Sequence, residues 1–197
     1  YSERPAAQDA ATPTPDPADC AACHPNVDQD WQGSMHANAY TDTIFQARWK
    51  SLGEPGDCLV CHTTGYDATT GQYTAASVTC EACHNPVPVD HPKSPMPIDN
   101  SPDLCGQCHS DTRFGWQEWK ISTHYQRGME CTVCHDPHGT VNEKMLTARN
   151  STLCLKCHFI QYSNSRSYIG GSDHTVRITQ GTCWTAGCHE AVHGSHV

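Results

Sequence analysis

The sequence has few of the side chains from which a hydrophobic core is normally built. Leu, Ile, Val and Phe together supply 25 of its 197 residues, which lies under the roughly 20% level that usually signals disorder. An ordinary aliphatic core is therefore excluded. Cysteine and histidine, by contrast, each occur 14 times, far above their share in an average globular chain. We expect something other than aliphatic side chains to fill the interior.

Clustered positive charge and long apolar runs are also missing. The chain has 12 basic and 21 acidic side chains, a formal charge of −9, and no two adjacent Lys or Arg residues. This pattern argues against nucleic acid or an anionic membrane surface as a partner. No stretch reaches the roughly 18 to 20 apolar residues of a membrane span. Because the sequence opens at Tyr1 without a signal-peptide pattern, we interpret it as a mature, exported, soluble chain.

Twelve of the cysteines form pairs that are separated by two residues and followed directly by histidine. The six motifs, numbered sites 1 to 6 in chain order, are Cys20/Cys23/His24, Cys58/Cys61/His62, Cys80/Cys83/His84, Cys105/Cys108/His109, Cys131/Cys134/His135 and Cys154/Cys157/His158. C-x-x-C-H is the attachment sequence of c-type haem, in which both thiols bond to the porphyrin and the histidine binds the iron. Zinc ribbons and disulfides are the alternatives, but neither needs a histidine after each second cysteine. The pattern predicts six covalently bound haems.

The last two cysteines form a widened version of the same motif. Cys183 and Cys188 are separated by four residues, and His189 follows directly. A short disulfide loop is the alternative, but the position of the histidine favours a seventh haem, at site 7. Seven haems in 197 residues leave about 28 residues for each, so porphyrin faces would replace the missing aliphatic core. Attachment of c-type haem follows export, which predicts a periplasmic or extracellular location.

Seven histidines lie outside the attachment motifs. They are His36, His91, His124, His138, His174, His193 and His196. Their number equals the number of attachment sites, which predicts that every iron has two imidazole ligands and is closed to substrate. We therefore expect one-electron transfer, with no catalytic residue and no enzyme activity. His138 follows His135 by only three residues, so it should bind the iron of a neighbouring haem.

A second repeat divides the chain. The pattern W-x-x-S-x-H occurs at 31–36 and again at 119–124, and six prolines between residues 86 and 102 favour an extended connection. We expect a Pro/Ala-rich tail over 1–19, trihaem modules over 20–100 and 101–160, and a C-terminal segment over 161–197 with haem 7. The tail should be held by packing, for which a neighbouring subunit is one candidate. These parts should form one haem-filled unit rather than independent domains.

The spacing of the motifs leaves little room for regular structure. Short helices are predicted over 37–52 and 113–126, with turns and coil elsewhere. The predicted fold is mostly coil with a few short α-helices wrapped around a chain of stacked haems, and it has little or no β-sheet.

With these motifs the chain resembles multihaem c-type cytochromes. The segments 104–109, 119–124, 131–139 and 188–195 resemble periplasmic decahaem cytochromes that deliver electrons to outer-membrane conduits. The segment 78–84 is similar to the hydroxylamine oxidoreductase and octahaem reductase group. The resemblance implies electron transfer to other redox proteins or to extracellular acceptors.

Three functions are compatible with these features. They are a subunit of an extracellular cytochrome filament, a soluble periplasmic shuttle, and a multihaem reductase with one open iron. The histidine balance disfavours the reductase. The first module contains only His36 and His91 as spare ligands for three irons, so at least one ligand must come from the other half or from another chain. We therefore favour end-to-end self-association with an axial ligand that crosses between subunits, with His193, His196 and His36 as candidates.

Overall fold

A computed structural model describes residues 17–88, 90–95, 99, 101–110, 115–176, 178, 183–184, 189 and 192–194. Almost all of the predicted N-terminal tail lies outside these residues, as do Cys188 and His196. No helix of the described part is long and apolar enough to cross a membrane.

The helices are short and separated by turns. The α-helices are α1 (Pro17–Cys23), α2 (Pro25–Gln32), α3 (Thr43–Ser51), α4 (Leu59–His62), α5 (Pro102–Gly106), α6 (Trp116–Ile121), α7 (Thr123–Gln126) and α8 (Ser151–Leu155). Single 3-10 turns lie at Gly56–Cys58, Cys80–Ala82, Cys131–Val133 and Glu143–Met145. The longest of these elements has nine residues, so no helix could be stable alone in water.

A small antiparallel sheet follows the sixth motif. Its strands are β1 (Gln161–Ser163), β2 (Arg166–Ile169) and β3 (Ser172–Asp173), hydrogen-bonded in that order. Two-residue turns connect them, at 164–165 and at 170–171, and all four turn residues have positive φ, as the right-handed twist of a tight hairpin requires. The predicted fold class, coil with a few short helices and little sheet, is confirmed.

The described part of the chain contains almost no aliphatic core. Its buried apolar side chains are Leu59, Trp116 and Trp119. Trp116 covers Gly106 in the fourth motif so closely that a Cβ there would lie 2.2 Å from the indole ring. The polypeptide alone therefore supplies little of the apolar burial that stabilises ordinary domains.

Both predicted helices are wrong in extent. The helix expected over 37–52 begins only at Thr43, because the Asp42 carboxylate accepts a hydrogen bond from the Phe45 amide, 2.8 Å, and caps α3. The helix expected over 113–126 is interrupted at Ser122, which is extended at φ −69° and ψ 154°. Ser122 begins a new helix because its hydroxyl accepts from the Tyr125 amide.

The two predicted modules contact each other directly. The imidazole Nδ1 of His36 lies 2.9 Å from the carbonyl oxygen of Pro137. Gly139 approaches α2 so closely that a Cβ would lie 2.5 Å from the carbonyl oxygen of Asp30. A residue other than glycine would therefore separate the loop after the fifth motif from α2.

Candidate functional site

Each C-x-x-C-H motif forms one helical turn. In five of the six, the histidine amide donates to the carbonyl of the first cysteine, four residues earlier, at 2.8 to 2.9 Å; in the second, Cys58 ends the 3-10 turn that precedes α4. Residues three and four apart lie on the same face of a turn. The spacing therefore directs both thiols and the imidazole of a motif to one side of the backbone.

Five motif histidines face a second histidine at a nearly constant distance. The ring centroids are 6.2 Å apart for His24 and His91, 6.0 Å for His109 and His36, 6.2 Å for His84 and His138, 6.0 Å for His158 and His124, and 6.0 Å for His135 and His193. With a metal–nitrogen distance of about 2.0 Å, and each nitrogen about 1.1 Å from its ring centre, imidazoles on opposite sides of one metal have centroids about 6.2 Å apart. The donor set at these five sites fits a haem iron.

Two of these pairs connect the halves of the chain. His138, three residues after the fifth motif histidine, lies parallel to His84 of the third motif, with 1° between the ring planes. His36, which follows the first motif, faces His109 of the fourth. Axial coordination by these pairs would join residues that are far apart in sequence.

Backbone carbonyls orient several of the imidazoles. The Nδ1 atom lies 2.6 to 3.0 Å from a carbonyl oxygen in five histidines: His36 with Pro137, His62 with Ala39, His91 with Ser94, His135 with Lys144 and His174 with Ser172. An Nδ1–H that donates to a carbonyl leaves Nε2 unprotonated and free to bind a metal. These five contacts therefore favour the tautomer that an iron ligand would require.

The W-x-x-S-x-H repeat has a structural explanation. Ser34 and Ser122 are buried, and their hydroxyls accept from the amides of Ala37 and Tyr125 at 3.2 and 3.1 Å. Such a bond from the residue three positions later starts a helical turn. In both copies of the repeat, the turn that serine starts carries the histidine.

The attachment cysteines of different motifs approach one another. In six pairs of motifs, a thiol of one motif alters the pKa of a thiol of the other. The contacts include those between Cys20 and Cys80, Cys83 and Cys105, Cys61 and Cys108, Cys105 and Cys131, Cys134 and Cys157, and Cys154 and Cys183. Burial and then the hydrogen bond with Cys61 raise the pKa of Cys108 to about 12, whereas the bond with Cys131 lowers the pKa of Cys105 to about 7.

These approaches order the sites differently from the sequence. Sites 1, 3, 4, 5, 6 and 7 each adjoin the next in that order, and site 2 adjoins site 4. The Sγ atom of Cys61 also lies 4.0 Å from the carbonyl oxygen of Gln107, within the fourth motif. No sequence signal indicated this branch, because it depends on how the first module folds back.

Three predicted ligands have no such pairing in the described part of the chain. No second imidazole is in ring contact with His62, His174 or His189. His62 instead stacks face to face on Phe45, at 3.7 Å and 8°, a contact that no sequence motif marks. Cys183 is not in a disulfide.

Two of the three candidates for a ligand that crosses between subunits have an imidazole opposite them in the same chain. His36 faces His109 and His193 faces His135, which favours ligation within the chain, and the prediction that either one serves a neighbour stays a prediction. His196 lies outside the described residues. No group of three or more His, Cys, Asp or Glu side chains in the described ranges could hold a bare metal ion, as a zinc ribbon would.

Two family models match the chain. The model described as the doubled CXXCH motif matches residues 74–114 and 124–159. The model described as cytochrome c554 and c-prime matches residues 19–85. Together they cover sites 1 to 6.

Two curated proteins are similar to the chain. Multiheme cytochrome MtrA of Shewanella baltica is 30% identical over 148 residues, which are 71% of this chain and 41% of the relative. Dissimilatory sulfite reductase MccA of Wolinella succinogenes is 26% identical over 133 residues, 60% of this chain and 18% of the relative. The chain thus spans less than half the length of either protein. No solved structure matches it.

Proposed function

This chain is a multihaem c-type cytochrome that transfers electrons, and we propose that it does so through seven covalently bound haems as a subunit of an extracellular filament. The cysteines of sites 1 to 7 hold the haems in this proposal, and the seven motif histidines bind the irons. Each haem, when bound, supplies an iron that gains and loses one electron. The chain's own residues fix where each iron lies and what closes its second axial position.

The observation that carries this proposal is the set of five imidazole pairs at 6.0 to 6.2 Å. Two nitrogen ligands exclude substrate from an iron, so these sites suit electron transfer rather than catalysis. The cysteine contacts support a main line through sites 1, 3, 4, 5, 6 and 7, with site 2 as a branch at site 4. Such an arrangement has three ends at which electrons can enter or leave.

Two features support assembly into a filament. His62 and His189 lack a facing imidazole in the described part of the chain, while His174 is held by Ser172 with its Nε2 available. If a histidine of one copy binds an iron of the next, the same contact completes the ligands of that iron and joins the two copies. A heterologous contact that does not close into a ring repeats along the assembly and produces a filament. His174 and His196 are the remaining candidates for that histidine. The similarity to MtrA supports a periplasmic or extracellular location and partners that are redox proteins.

Two measurements on the native protein and one on variants test the proposal. Intact mass with peptide mapping should give seven haems, one on each motif, and electron microscopy should show filaments. Replacing His174 with Ala should shorten or abolish the filaments, whereas replacing the exposed Gln161 on β1 should not. Fewer than seven haems would contradict the haem count. A monodisperse monomer at high concentration would replace the filament with the soluble shuttle.

A reductase is the second candidate, and one specific observation favours it. His62 is the only histidine of sites 1 to 6 that has no imidazole in ring contact within the described ranges, and the relative MccA is named a sulfite reductase. Carbon monoxide binding by the reduced native protein, at about one equivalent, would support an open iron at site 2. If the protein binds none, and all haems are low-spin, the reductase is excluded.

A further inference from the structure

Site 2 holds its histidine in a way that differs from sites 1 and 3 to 6. The imidazole of His62 lies in face contact with the Phe45 ring, with centroids 3.7 Å apart and 8° between planes. At this separation no metal fits between the rings, so Phe45 packs on one face of the imidazole. On its other edge, Nδ1 lies 2.6 Å from the carbonyl oxygen of Ala39, the shortest of the five such contacts.

The local sequence places Phe45 where this contact needs it. Asp42 caps α3, and its carboxylate accepts from the Phe45 amide at 2.8 Å. The cap therefore fixes the first turn of α3, on which Phe45 lies, and Ala39 lies in the turn just before it. The same short segment thus supplies both the ring that stacks on His62 and the carbonyl that accepts a hydrogen bond from its Nδ1–H.

Other aromatic side chains hold Phe45 in turn. Trp49, one turn later, stacks on Phe45 at 6.0 Å and 11°, and its indole N–H donates to the carbonyl of Pro55 at 3.0 Å. Pro55 directly precedes the 3-10 turn that carries Cys58. Tyr40 contacts both rings. These contacts attach α3 to the second motif and hold Phe45 beside His62.

We propose that Phe45 is a positioning residue for the iron ligand His62. Its face contact fixes the rotation of the imidazole about its own axis, and the Ala39 carbonyl polarises the ring through Nδ1–H. An imidazole held in this way is a stronger donor to the iron, which stabilises the ferric state and lowers the midpoint potential of that haem. The inference rests on the proposed attachment of a haem at site 2.

The test compares the full-length, haem-loaded variants Phe45→Leu and Phe45→Tyr with Phe159→Leu as a matched control. Phe159 directly follows the sixth motif histidine and is 67% exposed. In Phe45→Leu we expect one haem to change its electron paramagnetic resonance signal and to acquire a higher midpoint potential, with the others unchanged. Phe45→Tyr keeps the stacked ring and should restore the native signal. Phe159→Leu should leave every signal native.

The outcomes separate this inference from the proposed function. Peptide mapping of the native protein that finds no haem on Cys58 and Cys61 would refute the haem at site 2, and the inference with it. With that haem present, unchanged spectra and potentials in Phe45→Leu would overturn the positioning role alone. If Phe45→Leu does not accumulate, Asp42→Ala keeps the ring but removes its cap. A smaller shift of the same signal supports the role, and no shift overturns it.

Discussion

The two W-x-x-S-x-H elements share a sequence and a local turn but differ in what they join. In the first, the Trp31 indole donates to the carbonyl of Val78 at 2.9 Å, and His36 reaches His109 in the other half. In the second, Trp119 is buried against Tyr125, and His124 faces His158, within the same half. The difference shows that the local pattern fixes how the histidine is presented, whereas tertiary packing decides which motif histidine it faces.

The largest difference between the two elements should appear when the histidine of each is removed in turn. His36→Ala and His124→Ala should each convert one haem to a high-spin form, since each removes one imidazole of a pair. His36→Ala should also lower the free energy of unfolding by about 1 kcal/mol more, because the bond to Pro137 is lost as well. Thermal unfolding of both haem-loaded variants measures this difference. Equal losses would mean that His36 does not connect the halves.

The serine caps test what the two elements have in common. Ser34→Ala and Ser122→Ala should each cost about 1 kcal/mol of stability, the usual value of a lost N-cap. The loss should be larger at Ser34, which is 2% exposed against 8% for Ser122. Chemical denaturation gives both values, and threonine at either position should recover most of the loss. If both alanine variants are as stable as the native protein, serine does not start these turns.

The tryptophan of the first element allows a further stability test that leaves both histidines in place. Trp31→Phe leaves the Val78 carbonyl without its indole donor and should destabilise the protein by about 0.5 to 1.5 kcal/mol. Gln32→Ala, an exposed neighbour on α2, is the control and should change stability little. Thermal unfolding compares the two. A control variant that is as destabilised as Trp31→Phe would contradict the importance of that hydrogen bond.

The smallest expected effect concerns two exposed turns, one in each half. The Thr69 amide and the Thr70 hydroxyl lower the pKa of Asp67, and Thr175 lowers the pKa of Asp173. A carboxyl whose pKa is lower in the folded state stabilises it above the unfolded pKa, and this stability is lost as the pH falls through the folded pKa. Asp67→Asn and Asp173→Asn should therefore each reduce the drop in melting temperature between about pH 7 and about pH 3. An unchanged drop would show that these turns do not contribute.

The sequence predicts the scarcity of an aliphatic core better than the contacts between motifs. That scarcity follows from composition, and the described part of the chain buries only Leu59, Trp116 and Trp119 among its apolar side chains. The prediction that His138 serves a neighbouring haem rests on chain length alone, and its ring faces His84. Two contacts could not be predicted from sequence periodicity. The approach of Cys61 to the fourth motif joins segments that are distant in sequence, and the stacking of Phe45 on His62 depends on how α3 is capped.

The central claim is that the halves exchange axial ligands, with His36 given to site 4 and His138 to site 3. An experimental structure of the haem-loaded native protein tests this most directly. The account predicts that one iron is bound by His109 and His36, and another by His84 and His138. An iron at either site whose second ligand is a different residue, or which has none, would contradict it.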